Sequence, residues 1–291
     1  MSDDSFNEHI SWRDMVSQTA DIVGDRVIAK WLCEHASGCE IGEFNAIQNE
    51  LVTQRSAVHL DAMVRRYLAG EPVQYVMGRW AFRHLDLMVD QRVLIPRPET
   101  EQLPEIVMQH LHSMNAPHVV ADLGTGSGAI GLSLLHELPI GSATVWMTDA
   151  SDDAINVARA NAAGIGRNAT HARFAVGEWF NAFSDEQRES FHVIVSNPPY
   201  IADSDNEVED SVAQWEPHSA LFAGADGLAD IRVIAAEAPQ WLVPGGMVVV
   251  EMGYTQADAV MQLFVDAQLT DVRVHSDTAG KPRFVSGVRV S

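Results

Sequence analysis

Residues Phe191 to Tyr200 put an apolar run directly before a polar turn stiffened by two prolines. Pro198 and Pro199 lack the backbone N–H that a central ladder requires, so a strand over Phe191 to Ser196 has to end at Asn197. In an open α/β sheet, ligands bind outside the carboxyl ends of the strands. Asn197, Pro198, Pro199 and Tyr200 would then stand at the mouth of a site. Both prolines fix φ and aim the Pro198 carbonyl, while Asn197 adds an amide and Tyr200 an aromatic face. Two acceptors beside a ring suit a planar group that bears an NH2. Taken alone, the motif fits a proline-terminated strand with a turn tyrosine equally well, and a second motif is needed to decide.

That second motif runs from Asp122 to Gly131, behind the apolar stretch that starts at His118. Glycines between a strand and its helix let the backbone approach a ligand closely. The signal is ambiguous by itself, because Gly126, Gly128 and Gly131 also satisfy the dinucleotide pattern G-x-G-x-x-G. Asp149, ending the next strand, can accept from ribose hydroxyls in either case. Asp122 ahead of alternating Gly124, Gly126 and Gly128, with Thr125 between, resembles an S-adenosylmethionine loop, in which the acid stands near the cationic methionine end. A dinucleotide enzyme gives no reason for Asn197-Pro198-Pro199-Tyr200. Combined, the motifs point to methyl transfer onto an amino nitrogen.

The elements that must position these residues follow from periodicity. Apolar residues at three-to-four spacing over 8–70, including Ile22, Val23, Val27, Trp31, Leu32, Leu60, Met63 and Val64, predict a small helical bundle. Arg55, Arg65 and Arg66 lie on its last helix and read as a solvated face or a local basic patch. Aromatic and branched residues from Gly78 to Val89 predict a β-hairpin within a linker spanning 71–98. Beyond it, Glu99 to Ser113 reads as a helix with acids in its first turn. Strands are predicted over His118–Leu123, Ala143–Asp149, Arg173–Val176, Phe191–Ser196 and Met247–Glu251. Helices fall between them over Ala129–Leu138, Ser151–Ala163 and Leu228–Leu242, and Gln256–Ala267 adds another. Such alternation gives a mostly parallel sheet covered on both faces, with an antiparallel strand at the end. The expected domains are 1–70, 71–98 and 99–291.

Composition narrows the partners. Of the net charge of −21, residues 1–97 carry 10 Lys/Arg against 14 Asp/Glu, and residues 98–291 carry 9 against 26. A net −17 on the catalytic part disfavours binding to a phosphate backbone, and so a free nucleic-acid substrate. Cys33 and Cys39 are too few for a disulfide scaffold or a four-ligand zinc site, and no metal is expected. The acidic run from Asp203 to Asp210 reads as a solvated loop. No apolar stretch is long enough to span a membrane, and the start has no leader-like pattern, so the chain reads as cytoplasmic.

Several blocks in order resemble the HemK/PrmC-type methyltransferases, which modify the glutamine of the Gly-Gly-Gln motif in peptide chain release factors. They are Glu71 to Tyr75, Leu94 to Glu101, Asp122 to Ile130, Asn197 to Ile201, Glu216 to Leu221, and Gly245-Gly246 ahead of Glu251-Met252-Gly253. The Ile95-Pro96-Arg97-Pro98-Glu99-Thr100-Glu101 block separates this family from other amino methyltransferases. The resemblance implies a Rossmann-like class I S-adenosylmethionine-dependent α/β domain behind a helical domain that docks the release factor. It assigns the cofactor to Asp122, Gly124, Thr125, Gly126, Gly128, Asp149, Glu178, Trp179 and Asn197. The substrate amide falls to Asn197, Pro198, Pro199 and Tyr200, with Asn197, Pro198 and Tyr200 catalytic. Relatives usually carry Asp where Glu178 stands. Two other functions share parts of the pattern. An amino methyltransferase of adenine or cytosine in DNA or RNA would use the same turn on a flipped base, and a non-catalytic factor would bind S-adenosylmethionine or only a partner protein.

Overall fold

The structure is a computed structural model that describes residues 10–40, 42–205 and 210–290. Of the acidic run from Asp203 to Asp210, residues 206–209 lie outside the described residues. The chain divides into two units between Gly78 and Arg79, beyond the boundary expected at residue 70.

Among the described residues, the first unit holds four helices, α1 (Trp12–Val23), α2 (Arg26–Ser37), α3 (Gln54–Leu68) and α4 (Val73–Met77). Ser11, Asp25 and Thr53 cap the first three, each side chain accepting from backbone N–H groups that the first turn leaves unpaired. Trp12, Leu32, Phe44, Leu60, Met63 and Val76 bury the apolar stripes in one core. The boundary shifts because residues 71–77 belong to this core. Arg66 Nε and Nη2 donate to the Glu71 carboxylate at 2.7 and 2.5 Å, and the guanidinium also donates to the carbonyls of Tyr75 and Val76. Arg66 is therefore a clamp on α4, and Arg65 pairs with Asp61. Glu71 is buried. Arg66→Met strands its carboxylate and should cost about 1–3 kcal/mol, read as a lower midpoint in thermal unfolding.

The second unit opens with a hairpin of β1 (Arg79–Phe82) and β2 (Leu85–Met88). Only these residues of the expected linker form the hairpin. Asn161 ties it down by accepting from Met88 N and donating to the carbonyls of Met88 and Ser127. Arg83, at the turn, donates to both Glu137 oxygens and to the Glu101 carbonyl. The predicted helix at 99–113 is a 3-10 turn, Glu99–Gln102, running into α5 (Leu103–Leu111).

The strands and helices that follow are β3 (His118–Leu123), α6 (Ala129–Glu137), β4 (Ala143–Asp149), α7 (Asp152–Gly164), β5 (Ala172–Val176) and β6 (Phe191–Ser196). After them come α8 (Asp210–Trp215), α9 (Ala229–Glu237), β7 (Leu242–Glu251), α10 (Ala257–Asp266), β8 (Thr270–Ser276) and β9 (Pro282–Val288). They build a 7-stranded sheet in the order β5-β4-β3-β6-β7-β9-β8. Strands β5, β4, β3, β6 and β7 are mutually parallel, and β9 runs antiparallel to its two neighbours, β7 and β8. Residues alternate between faces as the pleat demands. Val193, Val195 and Val249 pack on one side with Leu103, Val107 and Leu132, while Ile194, Val248 and Val250 pack on the other with Ile231, Ile234 and Phe264. Strand β7 starts at Leu242, not Met247, and α9 ends at Glu237. Pro244, Gly245 and Gly246 sit where the β6–β7 register slips, a bulge that accepts a proline inside a strand.

Candidate active site

Strands β3 and β6 lie side by side, with Leu123 opposite Ser196. The chain leaves β3 towards β4 on one side and enters β7 from β6 on the other. This is the point where strand order reverses, and it opens a crevice at the carboxyl ends. Ser196 Oγ closes the base of the crevice by donating to the Leu123 carbonyl at 2.7 Å.

The glycine loop emerges from β3 with Gly124, Gly126 and Gly128 all at positive φ, a region that side chains enter at a cost. Gly128 N donates to the Thr125 carbonyl, and Thr125 N to the Thr148 carbonyl. Asp122 is fully buried behind this loop. Its Oδ2 accepts from Thr125 Oγ1 at 2.6 Å and from Gly131 N at 2.9 Å. Burial pushes its carboxyl up to about 6, against the two hydrogen bonds. Asp122 and Thr125 thus shape the loop from behind and do not line the cavity in front of it.

That cavity has a volume of about 250 Å3 and is lined by Gly124, Gly126, Asp149, Glu178, Trp179, Asn197 and Pro199 among the expected residues. Asp149, at the end of β4, accepts from Gly126 N at 3.0 Å and Ser151 N at 2.9 Å, which keeps its carboxylate at the loop. Burial raises its pKa against those same bonds. Trp179 takes φ 47°, a strained conformation for a bulky residue. Its indole lies on the cavity wall near Asp230. Asp230 also lines the cavity, and burial and the nearby Glu178 raise its pKa. Among the described residues, the charged ones lining the cavity are the acids Asp149, Glu178 and Asp230 and the cation Arg92. Arg92 spends its guanidinium on both oxygens of Asp90, at 2.8 and 2.6 Å. A dinucleotide pyrophosphate would meet net negative charge here, whereas a sulfonium with a ribose and a base meets suitable partners. The ambiguity of the glycine pattern is resolved by this charge.

The turn after β6 is held from several sides. Asn197 Nδ2 donates to Thr100 Oγ1 at 3.3 Å, and Thr100 Oγ1 donates to Glu251 Oε2 at 2.7 Å. Tyr200 Oη donates to Glu251 Oε1 at 3.2 Å. Gln256 Nε2 donates to the Tyr200 carbonyl at 3.0 Å, and its Oε1 accepts from Gly253 N at 2.8 Å. Across the mouth, Glu216 accepts from Ile95 N at 3.0 Å and Arg97 Nη2 at 2.6 Å. It thereby joins the segment carrying Arg92, Val93 and Leu94 to the one carrying Pro217, Ser219 and Ala220, all of which line the cavity.

The structure therefore brings Gly124, Gly126, Asp149, Glu178, Trp179, Asn197 and Pro199 together. Asp122, Thr125, Gly128, Pro198 and Tyr200 lie outside the lining of this cavity, Pro198 and Tyr200 on the same turn as Asn197. Tyr200 turns its hydroxyl inward to Glu251, where burial raises its pKa above the usual tyrosine range. Sequence reasoning left out Asp230, which lies inside a helical pattern with no motif around it. It also assigned no role to Pro217, Ser219 and Ala220, although the Glu216–Leu221 block was visible. His192, half-buried in β6, accepts from Val119 N and is structural.

A mostly parallel sheet with this order and an antiparallel β9, a glycine loop after β3 and an acid ending β4 define a class I methyltransferase domain, the class that uses S-adenosylmethionine. Comparison with known proteins agrees. Residues 101–216 match the family "Methyltransferase small domain", and residues 17–78 match "PrmC N-terminal domain". The "Release factor glutamine methyltransferase" of Xylella fastidiosa (strain 9a5c) is 39% identical over 263 residues, covering 90% of this chain and 93% of the relative. The protein of the same name from Coxiella burnetii (strain RSA 493 / Nine Mile phase I) is 40% identical over 226 residues, 78% of each chain. The hMettl16 catalytic domain, at 13% identity, a TM-score of 0.55 and 81% coverage of each chain, shares the fold. The chain belongs to the release factor glutamine methyltransferase family.

Proposed function

We propose that this protein methylates the side-chain amide nitrogen of the glutamine in the Gly-Gly-Gln motif of peptide chain release factors, acting in the cytoplasm. The observation that carries the reading is the Asn197 amide, fixed by Thr100 at the edge of a cavity whose charge suits a cationic cofactor. S-adenosylmethionine, when bound there, supplies a methyl group on a sulfonium, and its transfer to nitrogen releases one proton.

The donor set fits that cofactor. Asp149 retains lone pairs for ribose hydroxyls after taking Gly126 N and Ser151 N. Trp179 offers an apolar face for the base, and Glu178 an acceptor for its amino group. An amide nitrogen is a poor nucleophile because its lone pair is delocalised into the carbonyl. Asn197 Oδ1 and the Pro198 carbonyl are the two acceptors the turn offers to its N–H groups, orienting the nitrogen and favouring positive charge as it builds there. Tyr200 backs the turn through Glu251. No strong base is required, since the methylated amide loses its proton readily to water. The helical unit, residues 10–78, is the docking module for the release factor.

Asp149→Ala should weaken S-adenosylmethionine binding by about 10- to 100-fold, because it removes the ribose acceptor and frees Gly126 N. Titration calorimetry of the purified protein reads this directly. The function itself is tested with methyl-labelled S-adenosylmethionine and a bacterial release factor, beside the same factor with its Gly-Gly-Gln glutamine changed to alanine. Label on the unchanged factor alone is the expected result. Label on a nucleic acid in a parallel tube, with none on either factor, would refute the substrate.

A further inference from the structure

We propose that Thr100 and Glu251 are positioning residues that decide which half of the Asn197 amide faces the reacting glutamine. The inference rests on the reading above, in which Asn197 Oδ1 accepts from the substrate amide.

The argument is one of hydrogen counting. An Asn side chain turned by 180° presents its NH2 in place of its oxygen with almost no change of shape. In that orientation two donors would face each other across the site, and the substrate nitrogen would lose the acceptor that orients it. Something must therefore distinguish the two ends of the Asn197 amide. Thr100 has one hydroxyl hydrogen. It is 2.7 Å from Glu251 Oε2, a carboxylate oxygen that can only accept when ionised. With that hydrogen committed, Thr100 Oγ1 can offer only lone pairs to Asn197, and these select the NH2 end, found at 3.3 Å. The oxygen is then the half of the amide left for the cavity. Thr100 and Glu251 are 3% and 1% exposed, so water does not compete for the hydroxyl. Tyr200 Oη occupies the other carboxylate oxygen, which leaves Oε2 to Thr100.

The device is sensitive to the charge of Glu251. Burial pushes its carboxyl up to about 7, opposed by Thr100, by Arg283 and by Tyr200, and aided by Glu99. The other charges nearby are Arg97, which acts on Tyr200, and Asp277, which pairs with Arg283. A proton on Oε2 makes that oxygen a donor to Thr100. The threonine hydrogen then turns to Asn197 and favours the reversed amide. Turnover should be full above the titration of Glu251 and fall as pH drops through it.

The experiment compares wild type with Thr100→Val, Thr100→Ser, Glu251→Gln and Asn197→Ala. Turnover on a release factor is followed from pH 6 to 9 alongside cofactor affinity and thermal midpoint. Thr100→Val should lower kcat roughly 10- to 100-fold, in the range of a misplaced catalytic group, with cofactor affinity unchanged to within about twofold. Thr100→Ser should restore kcat to within about threefold, and Glu251→Gln should flatten the acid limb of the profile. Wild-type kcat in Thr100→Val, or an equal loss in the valine and serine variants, overturns the proposal provided Asn197→Ala is impaired. An acid limb that survives in Glu251→Gln overturns it too. Full turnover in Asn197→Ala would instead remove the role of Asn197 on which it stands.

Discussion

Asn197→Ala is expected to lower kcat on a release factor by about 10²- to 10³-fold, the usual loss when one preorganised group at the reacting centre is removed. The affinity for S-adenosylmethionine should change far less. Asn197 occupies one position in a wall whose cofactor partners Asp149, Glu178 and Trp179 come from other elements, and those remain in place. The cost arises because the amide nitrogen must be turned towards the methyl group with both hydrogens satisfied. Without the Asn197 oxygen one hydrogen is left to water or to nothing. The alanine also frees Thr100 Oγ1, but that hydroxyl keeps its bond to Glu251, so the fold should survive and the thermal midpoint should move by only a few degrees. Single-turnover rates with saturating cofactor separate the two effects. A variant that binds cofactor poorly yet turns over normally once saturated would show that Asn197 serves binding rather than chemistry.

The parts of this site legible in the sequence are those whose residues are neighbours in the chain. The strand ending at Ser196 could be placed because two prolines cannot continue it, and the loop from Gly124 to Gly128 because alternating glycines announce positive φ. Both signals are local, and the structure keeps both. What was not legible depends on contacts made across the sheet. Thr100 reaches Glu251 from the start of a different element, and Asp230 reaches the cavity from within α9. Thr100 and Glu251 stand in blocks that the sequence marks, but nothing in either block announces their contact, and Asp230 has no motif around it. The inward turn of Tyr200 was hidden for the same reason, since an aromatic at a site mouth reads as a stacking face unless a buried acid is known to lie behind it. The unit boundary moved because Arg66 captures Glu71, a pairing that periodicity cannot announce. The expected strand starts at Met247 and the observed one at Leu242, because Pro244, Gly245 and Gly246 are of types that turns and bulges share.

Gly227→Ala should cost about 2–5 kcal/mol in stability, combining a left-handed backbone with a collision in a packed site, and should depress turnover with it. Gly227 sits at φ +70°, and a Cβ built there would lie 2.3 Å from the Tyr200 carbonyl oxygen and 2.9 Å from Gln256 Nε2. A flexible side chain could step aside, but the first of these is backbone of the catalytic turn. Relief requires Tyr200 to move, and Tyr200 is held by Gln256 at its carbonyl and by Glu251 at its hydroxyl. The strain therefore passes to the two residues that fix the turn carrying Asn197. Two quantities should fall together, the urea midpoint and kcat, while cofactor affinity falls less because Asp149 and the glycine loop lie on β3 and β4. A serine or asparagine at the same position meets the same carbonyl and should not rescue either one. Unchanged stability in Gly227→Ala would mean that the 224–228 turn is free to shift away from Tyr200, and that the turn after β6 is held by Glu251 and Thr100 alone.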